Sequence, residues 1–277
     1  NGRFIMSNSI DYKTGTRDDR ATLYNPNIIQ VNICGLRSSW PEFSHYVLHS
    51  RPLAVMVVET LIPHNIINDK FKISGYRWVA CANSSRGTAI LLANPISYQQ
   101  IVPHLLDAVF LTLTIDDYSF ALLGGYHSPN KDEGVLSKMA AILHDYQLND
   151  SHVDLLVLGD FNSRHSTWDV KNNRRGNLLF RISNQFGLTV LNTPRIPTYY
   201  KRGSTASSTI DLALTTNPDI FTQVTVCNQV SLGSDHVPVE VQVDVPSIRV
   251  PPITRTVLNT KNFSASRLNE YIFSNYD

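Results

Sequence analysis

The sequence is poor in residues that staple or coordinate. It has three cysteines in 277 residues, Cys34, Cys81 and Cys227, widely spaced and with no Cys-x-x-Cys pair. That excludes a disulfide framework and a zinc knuckle, and it suits a reducing compartment. No apolar run approaches the roughly 18 residues needed to cross a bilayer, so no membrane partner is expected. No basic-then-apolar leader follows Asn1, and the chain begins without Met, so a piece of a longer product is expected. Gly124-Gly125 lacks the lysine of a phosphate loop, and neither His-Glu-x-x-His nor Gly-x-Ser-x-Gly occurs. These absences count against P-loop hydrolases, zinc proteases and serine esterases.

Net charge is also nearly absent, at +1, which excludes a simple polycation that coats nucleic acid. The distribution is uneven. Residues 107–160 hold nine acids and two bases, whereas 161–205 hold eight bases and one acid, Asp169. Such a pair of stretches suits carboxylates that hold a cation beside basic loops that hold a polyanion. Two solvated faces would produce the same count. The basic candidates for holding such a polyanion are Arg174, Arg175, Lys201 and Arg202, and the aromatic residues Trp168, Tyr199 and Tyr200 lie in the same stretch.

What is present is apolar sequence in short runs. Hydrophobic residues make up 42% and charged residues 17%, the balance of a folded domain. Residues 1–27 read as a polar arm and 28–244 as one domain. Pro246, Pro251 and Pro252 mark a linker over 245–277. Strands are expected at 28–33, 53–58, 76–82, 88–93, 109–115, 118–124, 155–158, 188–191, 210–214, 224–227 and 237–243. Asp116-Asp117 is expected to turn a hairpin. Helices are expected at 38–50, with Pro41 in the first turn, at 133–147 and at 177–186. So many strands with so few helices predict a β-sandwich core with helices packed outside.

The chemical signal lies where apolar strands end. Asn32, Glu59, Tyr126, Asp160 with Asn162, and Asp235-His236 each stand at such an end, and Asp211 sits within Thr209–Leu214. A buried carboxylate costs several kcal/mol unless it is paired, hydrogen-bonded or bound to a metal. Each residue taken singly has a plainer reading. Glu59 could cap a turn or pair with a surface Lys, Asp160 could form an Asx-turn, Tyr126 could be a core tyrosine, and Asp235-His236 could be a structural pair. Only their joint occurrence separates the two readings.

Taken in order, Asn32, Glu59, Tyr126-His127-Ser128-Pro129-Asn130, Gly159-Asp160-Phe161-Asn162, Ile210-Asp211 and Ser234-Asp235-His236 resemble the endonuclease/exonuclease/phosphatase superfamily. The resemblance spans about 28–244. It is most like the apurinic-type endonuclease domain of jockey- or I-type non-LTR retrotransposons. The carrying segments are Asn162–Trp168, Arg174–Leu179, Leu188–Asn192 and Pro197–Tyr200. Two positions depart from the family pattern. Val58 stands where Gln usually precedes the metal Glu, and Cys34 stands where Asn or Asp is common.

The resemblance implies a DNase I-like four-layer α/β sandwich, two packed mixed β-sheets flanked by helices. It implies Mg²⁺-dependent hydrolysis of double-stranded DNA, with Mn²⁺ as a substitute. The nick would leave a 3′-hydroxyl that primes the reverse transcriptase of the same polyprotein, acting in the nucleus. By the same resemblance Glu59 and Asn32 hold the metal, and Asp160 with Asn162 handles the attacking water. His236, held by Asp235 and Asp211, stabilises phosphoryl charge, and Tyr126 bonds a phosphate oxygen. Asn130, Thr198 and Ser234 match positions that touch the DNA backbone. Other superfamily activities, on abasic DNA or other phosphodiesters, are the alternative. A module that binds nucleic acid without cutting is a third reading.

Overall fold

The computed structural model describes residues 24–244, except 83, 85, 102–106, 116, 130–133 and 151–152. One sheet has six strands: β1 (Asn25–Asn32), β2 (Pro52–Val58), β3 (Tyr76–Ala80), β4 (Thr88–Ala93), β13 (Phe221–Val226) and β14 (Val239–Val243). They lie in the order β13-β14-β1-β2-β4-β3. The other sheet, in the order β5-β6-β7-β8-β12-β9, holds β5 (Ser97–Gln100), β6 (Ala108–Ile115), β7 (Tyr118–Tyr126), β8 (Asp154–Asp160), β9 (Thr189–Val190) and β12 (Asp211–Thr215). A short hairpin joins β10 (Tyr199–Tyr200) to β11 (Ser207–Ser208). The helices among the described residues are α1 (Leu36–Ser50), α2 (His64–Lys70), α3 (Gly134–Asp150) and α4 (Arg174–Gln185).

Side-chain alternation builds the layers. In the first sheet Ile29, Val31, Val55, Val57, Ala89 and Leu91 pack with Leu36, Phe43 and Val47 of α1 and with Ile67 of α2. In the second, Ala121, Leu123, Leu155, Val157, Leu212 and Leu214 pack with α3 and α4 through Leu136, Met139, Leu143, Leu179 and Ile182. Each fully buried aliphatic or aromatic chain contributes about 1.5–3 kcal/mol. The alternate residues face the opposing sheet. Phe120 meets Phe221 with ring centroids 5.3 Å apart, and Gly124 leaves room for Met56. The fold is thus the expected four-layer sandwich, helix–sheet–sheet–helix. Parallel pairing occurs where a helix crosses over, between β1 and β2 through α1 and between β7 and β8 through α3.

Several element bounds differ from expectation. β1 starts at Asn25, inside the stretch read as an arm, and Tyr24 is buried with its hydroxyl donating to the Gly75 carbonyl at 2.8 Å. The rest of the arm and the linker lie outside the described residues, as does Asp116 of the expected hairpin turn. α1 starts at Leu36, so Pro41 falls inside the helix rather than in its first turn. The reason is tertiary: Gly35 and Leu36 donate N–H groups to the carbonyls of Glu59 and Thr60 at 2.9 Å each, so the end of β2 starts the helix. α4 begins at Arg174 because the Asn173 side chain caps the Gly176 N–H at 2.7 Å. Gly176 lies against the Arg164 carbonyl, where a Cβ would overlap it. The expected strand at 188–191 shrinks to Thr189–Val190. α2 and the hairpin were not expected, nor was β5, whose residues are all exposed and show no apolar alternation.

Candidate active site

Strand pairing gathers the polar termini at one rim. Asn32 ends β1 opposite Val58, and Tyr126 ends β7 opposite Asp160. Asp211, rather than sitting within a strand, begins β12 directly opposite Asp160. Asn32 shares the inward face of β1 with Ile28 and Gln30, and Asp160 shares that of β8 with Leu156 and Leu158. The same two-residue period therefore builds the core and aims the polar ends at one another. His236 joins them just ahead of β14, bridged to Tyr199.

Asp160 is 1% exposed. Its Oδ2 accepts from Asn32 Nδ2 at 3.0 Å and its Oδ1 from the Asn162 N–H at 3.0 Å. The second contact is the Asx-turn that the sequence allowed, so the structural and chemical readings of Asp160 coexist. Asn162 adopts φ 48° and donates its side-chain amide to the His127 carbonyl at 3.1 Å. Asp211, fully buried, accepts at Oδ1 from Gln30 Nε2 at 3.0 Å and at Oδ2 from Thr198 Oγ1 at 2.7 Å. His236 Nδ1 lies 2.8 Å from the same Oδ2, and its Nε2 stands 3.9 Å from Asp160 Oδ2.

These neighbours set the protonation states. Burial, then the charge of Asp211, pushes the Asp160 carboxyl up to about 7. Burial alone would lower His236, but its contact with Asp211 and the charges of Asp160 and Asp235 outweigh that and raise it to about 9. His236 is therefore imidazolium at neutral pH, with Nδ1–H donating to Asp211. Burial and a hydrogen bond to Glu59 raise the Tyr126 phenol, which keeps it a neutral donor.

Glu59 follows β2 with φ 54° and is 8% exposed. Its Oε2 meets Arg86 Nη2 at 2.6 Å. Its donors are hard oxygens, as are those of Asn32 Oδ1, which also accepts the Cys34 N–H at 3.1 Å. Hard oxygens suit Mg²⁺ or Mn²⁺, and Mg²⁺ keeps several waters and needs few protein ligands. Atoms of Asp160, Asp211 and His236 lie within 4.8 Å of one another. Both Asp211 oxygens and His236 Nδ1 are already engaged, however, so this trio is a hydrogen-bonded pair beside Asp160 rather than a cage. Glu59 and Asn32 supply hard oxygens that could hold a divalent cation, each shared with its present partner, Arg86 and the Cys34 N–H.

Not every expected residue reaches this rim as expected. Thr198, assigned to the DNA backbone, is fully buried; its hydroxyl serves Asp211 and accepts the Ile210 and Asp211 N–H groups at 3.2 and 3.0 Å. Ser234 braces the site instead, donating to the Asn32 carbonyl at 2.7 Å and accepting the His236 N–H at 3.1 Å. Asp235 makes no hydrogen bond to His236 among the described residues and acts on it through charge. Asn130 lies outside the described residues. Arg174 is exposed and Arg175 half-buried at the start of α4, where Arg175 bonds the Pro129 carbonyl. Lys201 and Arg202 are exposed between β10 and β11, with Arg202 donating to the Gly233 carbonyl at 2.6 Å. Trp168 is core, its Nε1 donating to the Ser163 carbonyl at 3.0 Å, whereas Tyr200 is exposed and the Tyr199 ring lies 4.8 Å from His236.

Sequence reasoning missed Gln30, Asn192 and Arg86. Gln30 had a signal, since it shares Asn32's face inside an apolar strand. Asn192 donates to the Asp211 carbonyl at 3.0 Å and accepts the Ala213 N–H at 2.8 Å, from a segment that resembled the family without a role attached. Arg86 had no signal.

Residues 121–240 match the endonuclease-reverse transcriptase family. A curated relative, the probable RNA-directed DNA polymerase from transposon X-element of Drosophila melanogaster, is 26% identical over 184 residues, or 65% of this chain. The aligned region is about a fifth of that relative's length, 20%. Among solved structures, the endonuclease domain of TRAS1, a telomere-specific non-LTR retrotransposon, has a TM-score of 0.66 at 18% identity, covering 81% of this chain and 100% of that one. A 3′–5′ exonuclease from Neisseria meningitidis has a TM-score of 0.63 at 16% identity, over 79% and 100% of the two chains. An AP endonuclease from Leishmania major has a TM-score of 0.63 at 14%, over 79% and 88%. At such identities the structural likeness is one of fold, and the family match and the ordered motifs narrow it. The chain thus shares the fold of these nucleases, and its residues 121–240 resemble the endonuclease-reverse transcriptase family.

Proposed function

We propose that this domain nicks double-stranded DNA with the help of Mg²⁺ and leaves a 3′-hydroxyl that primes reverse transcription by another domain of the same polyprotein. The observation that supports this reading is the meeting of Asn32, Glu59, Tyr126, Asp160, Asp211 and His236 at one rim. A divalent cation, when bound, supplies charge neutralisation at the phosphoryl group and lowers the pKa of bound water. Glu59 and Asn32 hold it.

The chain's own groups do the rest. Asp160, with its carboxyl raised to about 7, is poised to take a proton from an attacking water near neutral pH. Asn32 and the Asn162 N–H fix its two oxygens and so its orientation. His236 presents Nε2–H to the charge that develops on a phosphoryl oxygen, while Asp211 fixes the ring through Nδ1. The neutral Tyr126 hydroxyl offers a further donor. Water attacks phosphorus as the bond to the 3′-oxygen breaks, and the leaving oxygen takes a proton from solvent, giving a 3′-hydroxyl and a 5′-phosphate. On this reading the domain acts on target DNA in the nucleus, and the exposed Lys201, Arg202 and Arg174 supply phosphate contacts.

The test is a plasmid-relaxation assay followed by primer extension. Wild-type protein with Mg²⁺ converts supercoiled plasmid to open circles whose nicks a polymerase extends, and His236→Ala does not. Intact plasmid with metal-replete wild type overturns the reading. Cutting confined to duplexes with abasic sites moves it to the repair-type alternative.

A further inference from the structure

Arg86 has no part in the chemistry above, yet the fold fixes it at the rim. Its carbonyl accepts the Leu61 N–H at 2.9 Å, and that of Gly87 accepts the Thr60 N–H at 3.0 Å. Gly87 takes φ +83°, and a Cβ there would overlap Thr60 Oγ1. Only glycine lets this loop lie so close to the segment after Glu59. The guanidinium closes on Glu59 at 2.6 Å, with side-chain exposure of 45% for Arg86 and 10% for Glu59. Tyr126 and Cys34 lie within electrostatic range of it.

Glu59 therefore carries a resident positive charge. A guanidinium and a divalent cation repel each other, and one carboxylate cannot hold both at full strength. Arginine has five N–H donors in a planar fork, and among the described residues this side chain donates one hydrogen bond, to Glu59. A half-exposed fork displaced from Glu59 stays tethered at the rim by its backbone bonds. A phosphate of a docked polyanion is an acceptor that matches this fork.

Building on the assignment of Glu59 to the metal, we infer that Arg86 is the counter-ion of Glu59 in the metal-free protein and passes to a DNA phosphate once Glu59 is engaged by a divalent cation. Cation and DNA then reinforce each other's binding, since coupling between two sites is reciprocal. The residue is a switch between two acidic partners, which weakens metal binding without DNA and strengthens DNA binding with metal.

The test measures Mn²⁺ binding by EPR titration without DNA, and the affinity of a short fluorescent duplex with and without Mn²⁺ in a His236→Ala background that leaves it uncut. Arg86→Met and Arg86→Gln are expected to bind Mn²⁺ roughly tenfold more tightly than wild type, the effect of removing one charge-assisted hydrogen bond. Arg86→Lys falls between. In the same variants the gain in DNA affinity that Mn²⁺ gives the parent shrinks by a similar factor. Unchanged or weaker Mn²⁺ binding in both Met and Gln variants, with thermal unfolding showing them folded, overturns the inference while leaving the metal role of Glu59 standing. If Glu59→Gln binds Mn²⁺ as wild type does, the metal assignment itself falls, and this inference with it.

Discussion

The Gln30 amide donates to Asp211 Oδ1 at 3.0 Å across the interface of the two sheets, β1 on one side and β12 on the other. Both residues are fully buried. Gln30 thus holds the carboxylate that holds His236, without itself approaching the rim.

Replacing Gln30 with Leu leaves a buried carboxylate oxygen one donor short. The expected cost is about 1–3 kcal/mol of stability. Urea denaturation measures it, and a variant as stable as wild type would show that the cross-sheet bond contributes nothing. Nicking by the folded fraction is expected to fall as well, because Asp211 is less firmly placed.

His236→Ala and Asp211→Asn should each lower nicking by about 10²–10³, the loss typical of removing one electrostatic donor. Duplex affinity should change only a few-fold, since neither residue is a principal phosphate contact. Parallel anisotropy and plasmid assays separate the two quantities. An equal loss of affinity and rate would assign these residues to binding.

The pH dependence of stability has a definite sign. Asp160 goes from 3.8 to about 7, so across that window the folded chain holds a proton that the unfolded chain has released. His236 goes from 6.5 to about 9, with the same consequence at higher pH. In both windows the folded state binds more protons, so metal-free stability falls as pH rises from about 4 to 9. The His236 contribution is complete below 6.5 and lost through 9. Calorimetry in EDTA should show Tm dropping toward alkaline pH, and a Tm rising over pH 6 to 9 would refute the assignment.

Asp169, 2% exposed, accepts from Arg164 Nε and Nη2 at 3.2 and 3.0 Å and from the N–H groups of Lys171 and Thr209 at 2.9 Å each. It ties the segment after Asp160 to the approach of β12. Asp169→Ala strands these donors and should cost roughly 3 kcal/mol, a little less than a fully buried pair because Arg164 is 27% exposed. Thermal unfolding checks it, and a loss below about 0.5 kcal/mol contradicts the role.

Lys201→Ala and Arg202→Ala should each reduce the slope of log K against log salt for duplex binding by about one. An unchanged slope in the double variant would remove the β10–β11 connection from the DNA-binding face.

The sequence by itself determined most of the long buried strands and the polar residues beside them, because period-two alternation is local. Asn32, Tyr126 and Asp160 close such runs and Asp211 opens one; singly each had a plainer reading, and their joint order made them legible and carried the family resemblance. Tertiary structure alone decided partners. Thr198 turned inward because the hairpin bridge to His236 puts it beside Asp211, and Gln30 found a carboxylate 181 positions away. Arg86 reached Glu59 because backbone bonds and Gly87 bring a loop 27 residues downstream against it. Charge complementarity has no period along a chain; it exists only after folding has chosen which ends meet.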